Sequence, residues 1–160
     1  MRTSAASLVV GLLLAASAAE VRAEEAETAK ATVQTVRNAG VAIMTALAKR
    51  VPADTQDPVT PDPFDWAACP AVSYDQLVET IGAQPTADIP RQDGWGNPLE
   101  FCLKIDRNAP PATRFVAGIR SPGRNGRFEQ SQYKRGPFAF SDFDRDVVWL
   151  NGFFFSWPQR

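Results

Sequence analysis

Between Glu24 and Arg50 the apolar residues Ala29, Val33, Val36, Gly40, Ile43, Met44 and Leu47 recur at three- and four-residue spacing. That period predicts an amphipathic helix with one face turned to a core. Glu24, Glu25 and Glu27 stand at its start and Lys49 and Arg50 at its end, an arrangement that suits the helix dipole, and Pro52 stops the run. A shorter helix is predicted over residues 74–81. Ser73 is its cap, Gln76 stands in capping-box position, Leu77, Val78 and Ile81 face inward, and Gly82 ends it. Downstream the pattern changes to strands at Leu99–Ile105 and Thr113–Ile119, with a turn around Asn108-Ala109-Pro110-Pro111. Val147-Val148-Trp149-Leu150 and Phe153-Phe154-Phe155 flank Asn151-Gly152, which is the chemistry of a two-residue hairpin. The expected fold class is therefore α+β, with a long N-terminal helix packed on a small antiparallel sheet.

Two irregular stretches punctuate these elements. Over residues 52–65, Pro52, Pro58, Pro61 and Pro63 alternate with Asp54, Asp57, Asp62 and Asp65, which predicts an extended connector that Phe64 and Trp66 anchor to the core. Asp93-Gly94-Trp95-Gly96-Asn97-Pro98 is dense in turn residues: Gly reaches positive φ without a steric cost and Pro fixes φ. Trp95 is expected to lock this turn. The Phe-rich C-terminal strand either covers a sheet edge or a helix face or, if exposed, offers a contact surface.

The N-terminus adds a targeting signal to this picture. Arg2 precedes the apolar run Leu8–Ala16, which is shorter than the roughly 20 residues of a membrane span, and Ala18 and Ala23 offer cleavage points. We read residues 1–23 as a signal peptide, residues 24–160 as one domain, and the location as periplasmic or secreted, with no stable membrane span after cleavage. Cys69 and Cys102 are an even pair in an exported chain, which favours a disulfide over two buried thiols. The formal net charge of −1 gives no bias toward nucleic acid. The chain has no His, which excludes Ser-His-Asp and Cys-His catalysis within it. No phosphate loop, dinucleotide fingerprint or Cys-rich metal motif occurs. The expectation is a protein that is not an enzyme.

Three blocks, in order along the chain, carry a family resemblance. Asp93-Gly94-Trp95-Gly96-Asn97-Pro98 resembles the Asp-Pro-Trp-Gly-Asn-Pro signature of the type II secretion major pseudopilin (general secretion pathway protein G). Ser121-Pro122-Gly123-Arg124-Asn125-Gly126 resembles its Ser-Tyr-Gly-Ala-Asp-Gly loop, and Asp144-Arg145-Asp146-Val147 its Asp-Ala-Asp-Ile segment. The resemblance spans residues 24–150. It implies a pseudopilin-like fold, a structural role in fibres, and protein partners among secretion-machinery components. The chain departs from the family at Gly11, which is followed by Leu12, Leu13, Leu14, Ala15 and Ala16 with no Glu, so the prepilin peptidase signal is absent. The alternative is a free-standing periplasmic binding or adaptor module with the same fold.

The resemblance also implies calcium. Its ligands, carried over by position, would be the Ile119 and Ser121 carbonyls, Asn125, and the Asp144 and Asp146 carboxylates. Asp142 is a further oxygen donor, since aspartates at alternate positions of an extended segment share one side and hard oxygen ligands suit this ion. The spacing is not that of an EF-hand, whose Gly and Glu positions hold Val147 and Phe153 counted from Asp142. Asn125 stands where the family has Asp, and the insertion between Gly126 and Asp142 brings Arg127, Lys134 and Arg135. An arginine paired with these carboxylates is the alternative to a metal. Arg107, Arg114, Arg120, Arg124, Arg127, Lys134 and Arg135 form either an anion-binding surface or a set of ordinary solvated loops.

Overall fold

In the computed structural model, which describes residues 6–49, 59–82, 89–110 and 114–159, with side chains from Ala18 onward, the long helix is one continuous element, α1, Ala6–Ala48. It starts well before Glu24 because the Ala- and Leu-rich segment ahead of that residue has high helix propensity and no breaker stronger than Gly11. Glu24, Glu25 and Glu27 consequently lie inside the helix, and the dipole account of their placement does not hold. Arg50, Pro52 and most of the Pro/Asp connector fall outside the described residues, as do residues 83–88 and Thr113. Among the described residues, no helix is long and apolar enough to cross a membrane.

The short helix α2, Tyr74–Ile81, has the predicted capping box: Gln76 N donates to Ser73 Oγ at 3.2 Å, and Ser73 N donates to Gln76 Oε1 at 2.9 Å. Gly82 closes it at φ 75°. Among the described residues, eight strands follow or flank it: β1 Phe64–Asp65, β2 Ala71–Val72, β3 Glu100–Ile105, β4 Phe115–Ser121, β5 Gln132–Tyr133, β6 Gly136–Ala139, β7 Val147–Leu150 and β8 Phe153–Gln159. β1 pairs with β5, and the others form a six-stranded sheet in the order β2-β3-β4-β7-β8-β6.

This sheet is mixed rather than purely antiparallel, because β6 runs parallel to β8, with Gly136 opposite Ser156 and Ala139 opposite Gln159. The cause is the tight β7–β8 hairpin. It occupies the place next to β4, so the preceding segment pairs with the outer edge of β8 and the chain crosses back to reach β7. The hairpin turn is the predicted one, with positive φ at both Asn151 (49°) and Gly152 (100°). Asn151 also ties the turn inward: its Oδ1 accepts from Ala117 N and its Nδ2 donates to Thr60 Oγ1, both at 2.9 Å.

Both faces of the sheet are covered. On one, Val36, Ile43 and Leu47 of α1 meet Phe101, Phe115, Ile119 and Trp149, and Leu77 and Ile81 of α2 join them. Gly40 permits this approach, since a Cβ there would stand 2.4 Å from the Trp149 ring. On the other face Phe64, Trp66, Tyr133, Val148, Leu150 and Phe155 surround the Cys69–Cys102 disulfide. Gly118 makes room for it, as a Cβ there would lie 2.8 Å from Cys102 Sγ. β7 is buried at every position, which is why its sequence is an unbroken apolar run. The Phe triplet divides: Phe155 is buried, Phe154 is half-buried beneath Arg37, and Phe153 is exposed.

Candidate functional site

The Asp93–Pro98 turn is held by Asp93 rather than by Trp95. The buried Asp93 carboxylate accepts Trp95 N and Asn97 N, both at 2.9 Å, on one oxygen, and the Ser121 hydroxyl at 2.6 Å on the other. Gly96 supplies φ 82°. The Trp95 indole is half-buried, with its ring 5.9 Å from that of Phe143. Gly94 lies against α1, where its N–H donates to Thr32 Oγ1 at 3.0 Å.

The second block docks onto the first. Asn97 Nδ2 donates to Gly123 O at 2.7 Å, and Gly123 N donates to Ser121 Oγ at 3.2 Å. The third block docks onto the second: Arg124 N donates to Phe143 O at 2.8 Å, and a Cβ on Gly123 would meet the Phe143 and Arg145 carbonyls. Blocks distant from one another along the chain thus form one corner of the molecule, under the middle of α1.

An arginine supplies the positive charge of this corner. Arg124 Nε and Nη2 donate to the two Asp144 oxygens at 3.0 and 2.9 Å, and Nη1 donates to Glu25 Oε1 of α1 at 2.5 Å. Asp144 accordingly holds its carboxyl below the ordinary value through its bonds to Arg124, and Arg124 is pushed up by Asp144 first and Glu25 second. The arginine is Arg124 of the second block and not one of the insertion residues Arg127, Lys134 or Arg135.

The three aspartates do not share one side. Residues 140–145 form turns, with Asp142 N donating to Ala139 O and Arg145 N to Asp142 O, so the alternation of an extended segment does not apply. Asp142 is exposed and lies 3.7 Å from Arg145 Nε. Asp146 points inward at 2% exposure, where the Tyr133 hydroxyl donates to it at 2.6 Å and Glu129 N at 3.3 Å. Burial raises the Asp146 carboxyl above its ordinary value and, with the hydrogen bond to Asp146 second, raises the Tyr133 phenol. Of the other carried-over ligands, Asn125 Oδ1 accepts from Arg127 N, and Ile119 and Ser121, expected to offer their carbonyls, are β4 residues paired with Trp149 and Val147 of β7. These residues do not fit calcium: the Asp144 oxygens are taken by a guanidinium, and Asp146 faces another layer. Among the described residues, no three His, Cys, Asp or Glu side chains are grouped to hold a metal.

Asp146 belongs instead to a polar chain on the disulfide side of the sheet. Arg120 Nη1 donates to Tyr133 Oη at 3.1 Å, and Nη2 donates to both Glu100 oxygens at 2.9 and 3.0 Å. Trp66 Nε1 donates to Glu100 Oε1 at 2.6 Å. The Arg120 guanidinium lies between the rings of Phe128, at 3.8 Å, and Trp66, at 4.7 Å. Glu100 and Arg120 are direct cross-strand partners of β3 and β4. The sequence carried one sign of this chain, the opposite charges Glu100 and Arg120 in two largely apolar strands, but their register is set by distant contacts.

The fold and this corner define a small α+β domain, one long helix on a mixed sheet, whose loops are joined by a buried carboxylate and a bridging arginine. Compared with protein-family models, curated proteins and solved structures, the chain finds no match.

Proposed function

We propose that this chain is a non-catalytic, exported structural and interaction domain of the major-pseudopilin type, acting in protein secretion through contacts with secretion-machinery components. The observation that carries this reading is the meeting of the three resemblance blocks, bonded to one another by Asp93–Ser121, Asn97–Gly123 and Arg124–Asp144 and to the long helix by Arg124–Glu25. A disulfide supports an oxidising compartment. The commitments of the titratable groups support a structural role: Asp93, Glu100, Asp144 and Asp146 are each held by donors of the protein itself.

A second reading, a free-standing periplasmic adaptor, is favoured by one observation: no Glu follows Gly11 in Leu12–Ala16. One experiment separates the two. The chain is tagged at its native locus and cross-linked in intact cells, its partners are identified, and export of secreted proteins is measured in a deletion strain. The secretion role predicts a secretion-machinery component in stable complex and loss of export to the medium. A monomer without such a component, in cells whose export is unchanged, refutes it and leaves the adaptor.

A further inference from the structure

The insertion between Gly126 and Asp142 builds a cleft of about 430 Å³ between itself, the Asp142–Asp146 turn and β8. Lys134 and Arg135 come from the insertion, Arg145 from the turn, and Gln130, Gln132 and Ser156 add amide and hydroxyl groups. None of the described lining residues is acidic. The volume falls within the roughly 300–1,000 Å³ of small-molecule sites.

Two cations of this cleft, Lys134 and Arg135, differ from Arg120 and Arg124. Arg120 and Arg124 are neutralised by Glu100, Asp144 and Glu25, and Arg114 Nε donates to Ala109 O. Among the described residues, no carboxylate forms a salt bridge with Lys134 or Arg135. The nearby aspartates are occupied or weakly engaged: Asp62 Oδ1 accepts Arg135 N, Asp146 is bonded to Tyr133, and Asp142 reaches Arg145 only at 3.7 Å. Three cations around one concavity without an acid in its lining raise the local concentration of anions. Two guanidinium forks and an ammonium match the several oxygens of a phosphate better than the two of a carboxylate.

We propose that this cleft binds a phosphate monoester or diester, either a soluble phosphorylated small molecule or the headgroup of an anionic lipid. The proposal does not rest on the secretion reading: it is argued from the cleft's own cations, two of which, Lys134 and Arg135, come from the insertion. The purified, oxidised chain is titrated calorimetrically with glycerol 3-phosphate, and floated with phosphatidylcholine vesicles with and without phosphatidylglycerol. Saturable binding of glycerol 3-phosphate identifies a soluble ester; binding confined to phosphatidylglycerol vesicles identifies a lipid headgroup. In either case the double variant Lys134→Gln/Arg135→Gln weakens binding by about tenfold or more, and Arg145→Gln weakens it by a smaller factor. Arg107→Gln, outside the cleft, leaves it unchanged. All four positions are exposed, and unchanged thermal midpoints verify that the variants fold. Failure of both probes to bind, or equal binding by the double variant and the unsubstituted chain, overturns the proposal.

Discussion

On the α1 side of the sheet, Trp149, Ile119 and Phe101 meet Val36, Ile43 and Leu47 in an apolar cluster, whereas on the opposite side Trp66, Tyr133 and Phe155 share their layer with a disulfide, a buried carboxylate and an arginine. The first face depends on filled volume and the second on satisfied partners. Their failures should differ accordingly. Deleting atoms from the α1 side leaves a cavity whose cost grows with its volume. Deleting one partner on the other side leaves a buried donor or acceptor without its mate, and the cost is that of its lost solvation. Asp144 and Asp146, two residues apart, fall on the two sides of a similar divide: one is bonded at the surface by a guanidinium, the other is enclosed with a phenol.

The largest effect is expected where most volume is lost. Trp149 is 2% exposed and fills the notch at Gly40, so Trp149→Ala should lower unfolding free energy by about 3–5 kcal/mol, read from urea unfolding. A cost below about 1 kcal/mol would mean that α1 collapses onto the sheet and the face is less closely packed than described. Reduction of Cys69–Cys102 breaks the other face at its covalent tie. The 33-residue separation predicts a loss of about 3–4 kcal/mol on the chain-entropy account. Unfolding with and without reductant, with a Cys69→Ala/Cys102→Ala variant as control, measures it. An unchanged midpoint would make the polar chain and the aromatics sufficient for that layer.

The two faces were also unequally legible in the sequence. α1, α2 with its Ser73 box, and the Asn151-Gly152 hairpin were readable because periodicity, capping and turn chemistry are properties of neighbouring residues. The long apolar stripe survives as a stripe, with Val33 and Met44 only half-buried. The parallel β6–β8 pairing was not readable, since no local turn marks it. Nor was the Glu100–Arg120–Tyr133–Asp146 chain, which requires the β3–β4 register and the return of the insertion over Trp66. The expected grouping of Asp142, Asp144 and Asp146 failed for a local reason. It assumed an extended segment, and the chain turns there. The corner formed by Asp93, Ser121 and Asp144 lies between these cases: each block was visible, but the side-chain bonds that join them are between residues twenty or more positions apart.

A pH series sharpens the contrast on the disulfide side. Burial raises the folded-state Asp146 carboxyl above its ordinary value. Its stabilising contribution is therefore complete below the unfolded-state value and is lost as pH rises through the folded one, where a charge must form in the interior. Asp146→Asn keeps an acceptor for the Tyr133 hydroxyl and cannot ionise. The stability of the variant relative to the unsubstituted chain should improve as pH rises from about 3 to about 7. A difference that stays constant over that range would show that Tyr133 and Arg120 compensate the buried charge in full.

The smallest effect belongs to the surface ion pair. Burial does not protect Arg124 from solvent, so its bonds to Asp144 and Glu25 are screened and contribute little to stability. The lowered Asp144 carboxyl contributes above its unfolded value and ceases to contribute as pH falls through the folded one. Arg124→Gln should reduce the thermal midpoint less than any change above, and the reduction should vanish near about 1 M salt, where the screening length is only about 3 Å. The same variant tests what balances this corner. With the guanidinium removed, Glu25 and Asp144 face each other as like charges, and calcium gains a place between them that Arg124 fills in the unsubstituted chain. Calcium added against a chelator should therefore raise the midpoint of Arg124→Gln more than that of the unsubstituted chain. An equal rise in both would mean that the carboxylates leave Arg124 to take the ion, and that the guanidinium is a placeholder rather than the charge that holds the loops to α1.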